Sequence, residues 1–363
     1  MKKILFVVSH RRNRAPNQRF RFEQYISVLE KNGFECAFSP LIKTAKEDAL
    51  FYSKGNLLRK LPLGIKLACR RIRDVMRARQ FDVIFIAREA FVVGYPFFEK
   101  IFAFSRAKIV FDFDDSIWMN VVSTNNKFFS WLKSGSKTAS IIRLSNLVLA
   151  GNQYLADYAG KYNNNVKVFP TTIDTHQYLP KYNPCKDTIT IGWSGSFSTI
   201  EHFKLAIPAL TEIKKKYGAL VNFLVIGDKR YKNIELEINS IDWSKDSEIE
   251  HLYEIDIGIM PLPNDEWAKG KCGLKGLQYM ALGIPTIMSP VGVNSQIIHD
   301  GKNGFLADDI NEWVEKISIL IENPKLRSEL GKAGRNTVQL GYSVESQQEK
   351  YIKLFQSLVS EPS

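Results

Sequence analysis

Short apolar runs alternate with stretches of helical periodicity along the whole chain, and few folds accommodate that alternation. KILFVV (3–8), FECAFSPL, FDVIFIA (81–87), AKIVFDF (107–113), NLVLAG (146–151) and VKVFP (166–170) form a first series. ITIGWSG, VNFLVIG (221–227), DIGIMPL (256–262) and PTIMSP (285–290) form a second. Runs this short and this uniformly apolar predict parallel strands buried on both faces. Between them, helical spacing predicts helices around 201–216, 246–254, 273–282, 310–322 and 325–339. KYNPCKDT (181–188) reads as a linker, so two α/β domains are expected, 1–183 and 184–343, each a doubly wound parallel sheet. The final amphipathic segment, about 344–363, is expected to pack back on the first domain.

The chain has 363 residues, 45% of them hydrophobic and 24% charged, which fits two ordinary domains and excludes a disordered chain. No apolar run approaches the roughly 18 residues a membrane span needs. MKKILFVVSHRR resembles a signal peptide only until Val8, after which no small-residue cleavage site follows, so it is read as a first strand. The cysteines Cys36, Cys69, Cys185 and Cys272 are scattered, without metal-ligand spacing, and predict free thiols in the cytosol. The histidines show no ligand pattern, and no metal or cofactor is expected.

Charge is unevenly placed. Residues 1–180 hold 29 Lys and Arg against 14 Asp and Glu; the remainder holds 21 against 24. A polyanionic partner for the first half follows: a phosphorylated substrate, an anionic membrane or a nucleic acid. SHRRNRAPNQRFRFEQY (9–25) carries Arg11, Arg12, Arg14, Arg19 and Arg21, whose guanidinium forks suit phosphate or carboxylate. LLRKLPLGIKLACRRIRDVMRARQ (57–80) reads either as a basic helix lying on an anionic bilayer or as a helix whose apolar side is core. It contains none of the aromatics that would stack on bases, so no nucleic acid is expected.

Two segments carry anion chemistry in the second half. IGWSGSFST (191–199) offers Gly192, Ser194, Gly195, Ser196 and Ser198 at the end of a strand; an ordinary capped turn would read the same. VNFLVIG ends on Gly227 in the same manner. In GKCGLKGLQYMALGIP (270–285), Lys271 and Lys275 sit among glycines at a helix start near Gly273. With Gln278 they follow i, i+4, i+7 spacing and should project on one side. Cations crowd a helix end that is already positive, a mildly unfavourable arrangement that a bound diphosphate would reverse. In FDFDDSIW (111–118), Asp112, Asp114 and Asp115 end a strand. There Asp115 or Ser116 could also cap a following helix.

QYMALGIPTIMSPVGVNSQIIHDGKNGFL (278–306) resembles the C-terminal signature of glycosyltransferase family 4, retaining enzymes of the GT-B fold. IGWSG, VIG and DIGIMPLP precede it in the family's order over about 190–340. The resemblance implies two Rossmann-like domains facing across a cleft. A nucleotide sugar would bind the C-terminal domain at Gly192, Ser194, Gly195, Ser196, Gly227, Gly273 and Gln278. A saccharide or lipid-linked acceptor would bind the N-terminal domain through Arg11, Arg12, Arg14, Arg19 and Asp115. It implies Asp114 in place of the family's histidine, whereas its basic pair commonly follows the IGWSG strand, where this chain has no lysine, so Lys271 and Lys275 are read as the diphosphate's cations in its stead. It implies retention, no metal, and synthesis of surface polysaccharide or glycoconjugate in the cytoplasm or at the membrane's inner face.

The chain departs from that pattern at the Glu-x7-Glu acids, where it has Gly270 and Gln278; Asp265 or Glu266 would have to stand in for the first. A rewired donor site and a degenerate scaffold both fit. Two rival readings are a nucleotide-sugar epimerase, which needs no acceptor, and a basic nucleic-acid-binding protein.

Overall fold

The computed structural model describes every residue except 54, 56, 93, 120–134, 181–186, 197–198 and 361–363. Most of the expected linker, with Cys185, and Ser198 lie outside the described residues. The chain divides into two compact units, Met1–Pro170 with Gln348–Ser363, and Thr171–Gln347.

In the first unit six strands run parallel: β1 (Lys2–His10), β2 (Phe34–Ile42), β3 (Val83–Ala87), β4 (Lys108–Phe113), β5 (Leu147–Ala150) and β6 (Val166–Val168). Their order is β2-β1-β3-β4-β5-β6. Ile4 to Val8 and Val83 to Ile86 are wholly buried, as strands covered by helices on both faces must be. Helices α1 (Ala45–Tyr52) and α2 (Leu57–Arg77) follow β2, and α3 (Phe97–Ala103) follows β3. Because β2 and β3 lie on opposite sides of β1, the chain reverses direction across the sheet there. The carboxyl ends of β1 and β3 therefore border a topological switch point, where open α/β sheets bind ligands.

In the second unit β7 (Ile189–Ser194), β8 (Val221–Gly227), β9 (Asn239–Asp242), β10 (Ile257–Met260), β11 (Thr286–Met288) and β12 (Phe305–Leu306) are also all parallel. Their order, β12-β11-β10-β7-β8-β9, puts the switch between β7 and β10. The core gathers Trp193, Phe203, Phe223, Ile257, Ile287 and Trp313. Helix α4 (Leu274–Ala281) fills the crossover from β10 to β11.

The last helix, α5 (Val344–Ser360), belongs to the first unit from Gln348 onward. There Tyr351 stacks on Tyr25 at 4.4 Å and packs on Phe169, while Phe355 lies against Phe34 and Phe85.

Candidate active site

In the second unit, the segment after β10 and the first turn of α4 deliver two lysines to the switch point. Asp265 caps a short helix, accepting from the amide of Ala268 at 2.7 Å, and Glu266 pairs with Lys269 at 2.6 Å. The chain then turns through Gly273, whose φ of +69° is left-handed and which touches Ile297 and the neighbourhood of Asn294. From Leu274 the helix runs inward, burying Gly276, Leu277 and Ala281. Both lysines are half-buried. The ammonium of Lys271 lies 4.8 Å from the ring centre of Trp267, and that of Lys275 lies 5.1 Å from Trp193. Indole faces attract cations, so both charges are held against rings of the same unit.

Three features of this unit bear on the residues singled out in the sequence. First, three amides of the IGWSG turn are bonded within the chain. The amide of Ser194 donates to the Tyr279 hydroxyl at 2.7 Å, that of Gly195 to the carbonyl of Ile226 at 2.8 Å, and that of Ser196 to the Thr199 hydroxyl at 3.1 Å. Second, Gly192, Gly195 and Gly227 are glycines for packing. A side chain on Gly227 would enter the carbonyl of Gly195, one on Gly195 would enter the Trp193 ring, and one on Gly192 would enter Ile255. Third, Gln278 leaves the exposed row of Lys271 and Lys275. It is buried, and its Nε2 donates to the Tyr178 hydroxyl at 3.0 Å. That hydroxyl donates to buried Glu248 at 2.7 Å, which also accepts from the Trp243 indole at 2.8 Å.

In the first unit the carboxyl ends of β1, β3 and β4 carry a charged cluster. His10 ends β1. Its Nε2 is 3.1 Å from the Tyr52 hydroxyl, and its Nδ1 is 3.8 Å from the Asp48 carboxylate on α1. Asp48 takes Arg14 at 2.7 Å and Arg11 at 3.5 Å. Burial pushes the His10 imidazole below its ordinary range. Arg14, Arg11 and Arg88 push the same way against the pull of Asp48. Arg88 follows β3 in a left-handed conformation, φ +63°, its amide donating to the carbonyl of Asp112 at 2.8 Å. Its guanidinium reaches Asp114 at 2.7 Å and 2.9 Å and Asp115 at 3.8 Å.

The remaining arginines divide. Arg12 is exposed, over the Phe38 ring at 5.2 Å, and Arg19 lies over Phe20 at 4.8 Å. Arg21 leaves the anion-facing set. It is buried, bonds Asp112 at 2.5 Å and 3.2 Å, and donates to the carbonyl of Phe169. The three acids of FDFDDSIW thus split between two arginines, Asp112 to Arg21 and Asp114 with Asp115 to Arg88. Among the described residues no three His, Cys, Asp or Glu side chains gather as metal ligands would.

Sequence reasoning missed His10, Asp48, Tyr52 and Arg88. The available signal was position: His10 closes the central apolar run and Arg88 stands just past the next one, both at strand carboxyl ends.

Residues 188–323 match the glycosyl transferases group 1 family. Within curated proteins, trehalose synthase of Pyrococcus horikoshii is 34% identical over 87 residues, 24% of this chain and 21% of that protein. The poly(ribitol-phosphate) alpha-N-acetylglucosaminyltransferase of Staphylococcus aureus is 40% identical over 65 residues, 17% and 13% of the two chains. The chain spans about a fifth of the length of the first of these relatives. Solved structures match throughout. Sucrose-phosphate synthase from Thermosynechococcus elongatus superposes with a TM-score of 0.69 at 14% identity, covering 99% of this chain and 100% of that one. Anabaena Alr3699/HepE in complex with UDP and glucose gives 0.69 at 15% identity, covering 98% and 100%. The fold is GT-B.

Proposed function

We propose that this protein transfers a sugar from a nucleoside-diphosphate sugar to an anionic or lipid-linked saccharide, with retention of anomeric configuration, in the synthesis of a surface polysaccharide or glycoconjugate in the cytoplasm. One observation carries the reading. Within the residues that match the group 1 family, Lys271 and Lys275 are both clamped on indole rings at the β7/β10 switch point, on either side of a helix start. A departing diphosphate gains negative charge as the glycosidic bond breaks. Cations fixed beforehand stabilise that charge without reorganising, which is where electrostatic catalysis acts. In this reading no metal is needed, because the two ammonium groups meet the diphosphate. That Alr3699/HepE was solved with UDP and glucose supports a nucleoside diphosphate as the ligand class.

The first unit supplies the acceptor end. Arg11 and Arg14 are drawn together by Asp48, and Arg12 and Arg19 lie on the same loop, so a phosphorylated or acidic saccharide meets a cationic rim. Asp114, paired with Arg88 at 2.7 Å, accepts a hydrogen bond from a sugar hydroxyl and orients it. Gln278 positions by way of Tyr178 and Glu248 and does not face the ligand.

The test is acceptor-dependent release of nucleoside diphosphate from UDP-, GDP- and ADP-sugars, with the anomer of the product read by NMR. Release without acceptor and with an altered sugar would make the protein an epimerase. No turnover of any of these donors, with a range of lipid-diphosphate saccharides present, would overturn the proposal.

A further inference from the structure

Helix α2 has two apolar faces, and the core uses only one. On the inner face Leu63 and Leu67 are buried against Leu41 and Ile42. One turn on, the wholly buried Arg71 donates to the carbonyls of Ser39, Val8 and Ala90 and pairs with Asp74 at 2.9 Å. These contacts fix the helix to the sheet and satisfy its inward side. On the opposite side Leu58, Leu61, Ile65, Ile72 and Met76 follow i, i+3, i+4 spacing with Cys69 among them, and all are exposed, from 50% for Ile72 to 87% for Leu58. Helix α3 packs beside α2, and at its ends and start Tyr95, Phe97 and Phe104 are 80%, 60% and 89% exposed. Scattered exposed apolar residues need no explanation, but a periodic row of them along one helix does.

Charge decides what covers the row. Along one flank run Arg59, Lys66, Arg70, Arg73 and Arg77, with Arg79 in the turn that follows. Lys66 and Arg70 share Glu47, and Arg77 pairs with Asp74. Arg59, Arg73 and Arg79 have no acidic partner among the described residues. A second copy of this chain packed symmetrically on the face would set this basic flank against itself, which like charges oppose. A bilayer with anionic headgroups meets the cations and buries the apolar row, while phenylalanine and tyrosine rings suit the headgroup boundary.

We propose that α2, with the aromatics around α3, is a surface that seats the first unit on an anionic lipid bilayer. The face lies along the outside of the helix, separate from the His10 cluster at the strand ends. The inference does not rest on the transferase reading, because a protein of any activity with this face would bind.

The experiment is co-sedimentation of the full chain with phosphatidylcholine vesicles containing or lacking phosphatidylglycerol. Two variants are compared, Ile72→Ser/Met76→Ser and Arg59→Gln/Arg73→Gln/Arg79→Gln. The wild type is expected to sediment with the anionic vesicles and to stay in solution with neutral ones. Removing three cations should weaken binding about 10²-fold, and the serine variant at least about 10-fold. Since every substituted side chain is exposed, both variants should keep the wild-type Tm; if the serine variant unfolds, the glutamine variant carries the test. Wild type left in solution with anionic vesicles, equal binding to neutral vesicles, or a dimer in solution broken by the serine substitutions would each overturn the proposal. Turnover on soluble donors is measured alongside, so failure of this surface and failure of the transferase reading are separate results.

Discussion

The ammonium of Lys275 rests 5.1 Å from the ring centre of Trp193, a residue 1% exposed at the heart of the second unit's core. A charge that belongs to the surface is thereby fixed by a side chain that cannot move. Lys271 makes a similar contact, four residues earlier, with the half-buried Trp267.

Replacing Lys271 or Lys275 with alanine should lower kcat/KM by roughly 10²-fold each, typical of losing one group that stabilises developing charge. Folding stability should fall by no more than about 1 kcal/mol, the worth of one partly exposed cation–π contact. Steady-state kinetics and thermal unfolding check the two halves. A loss of stability without loss of turnover would mark the lysines as structural.

Gln278→Glu supplies an acid that the resemblance would lead one to expect at this position, yet it should damage this protein. The Tyr178 hydroxyl has one proton and already gives it to Glu248, so a second carboxylate at this position would face an oxygen with nothing to donate. Both groups are buried, and an unsatisfied buried charge costs several kcal/mol. Gln278→Ala, which loses one bond without adding a charge, should cost about 1–3 kcal/mol. Denaturant unfolding ranks the two; a glutamate variant as stable as wild type would remove this network from the account.

Arg21→Met should destabilise the first unit by about 3–5 kcal/mol, because Asp112 would remain buried without its partner. Arg21→Met/Asp112→Leu should recover much of that loss, since an apolar pair of similar volume avoids the stranded charge. Chemical denaturation of the single and double variants separates the outcomes.

Two groups of the first unit contribute to the acid limb of stability, in different windows. The His10 imidazole is held below its ordinary range in the folded chain, so below about pH 6.5 the unfolded chain binds the extra proton first and stability falls as pH falls. His10→Gln should flatten that limb. Glu47 is held well below the carboxylate range, chiefly by its bonds to Arg70 at 2.7 Å and 2.8 Å. Its contribution is complete above the unfolded value of about 4.3 and is lost as pH falls below it. Glu47→Gln should therefore lower stability at neutral pH and remove the deeper acid loss. Unfolding midpoints measured from pH 8 to pH 3, taken as roughly the range these reference values span, test both.

The parallel sheets were legible because a strand buried on both faces writes itself as an apolar run, and the longer runs of the sequence are strands of the structure. The short strands Asn239–Asp242 and Phe305–Leu306 left no such run, being half-exposed edges of the second sheet. Lys271 and Lys275, on either side of the start of α4, stood out from their position among glycines. Gly227 and Gly195 were not, since a glycine needed for close backbone packing and one needed to approach an anion look the same in one dimension. Likewise the five arginines of 9–25 looked alike. Only the fold shows that Arg21 meets Asp112 and Arg14 meets Asp48, pairs far apart in the chain. His10 and Asp48 come together for the same reason, through strand order and not through spacing.

The central claim is that Lys271 and Lys275 hold the diphosphate of a donor. Isothermal titration of the wild type and of Lys271→Ala/Lys275→Ala with UDP, GDP and ADP tests it most directly. At least one nucleotide should bind the wild type, with affinity falling by about 10²-fold or more in the double variant, as the loss of two charge-assisted contacts requires. Equal binding by both proteins, or no binding of any of the three nucleotides to the wild type, would contradict it.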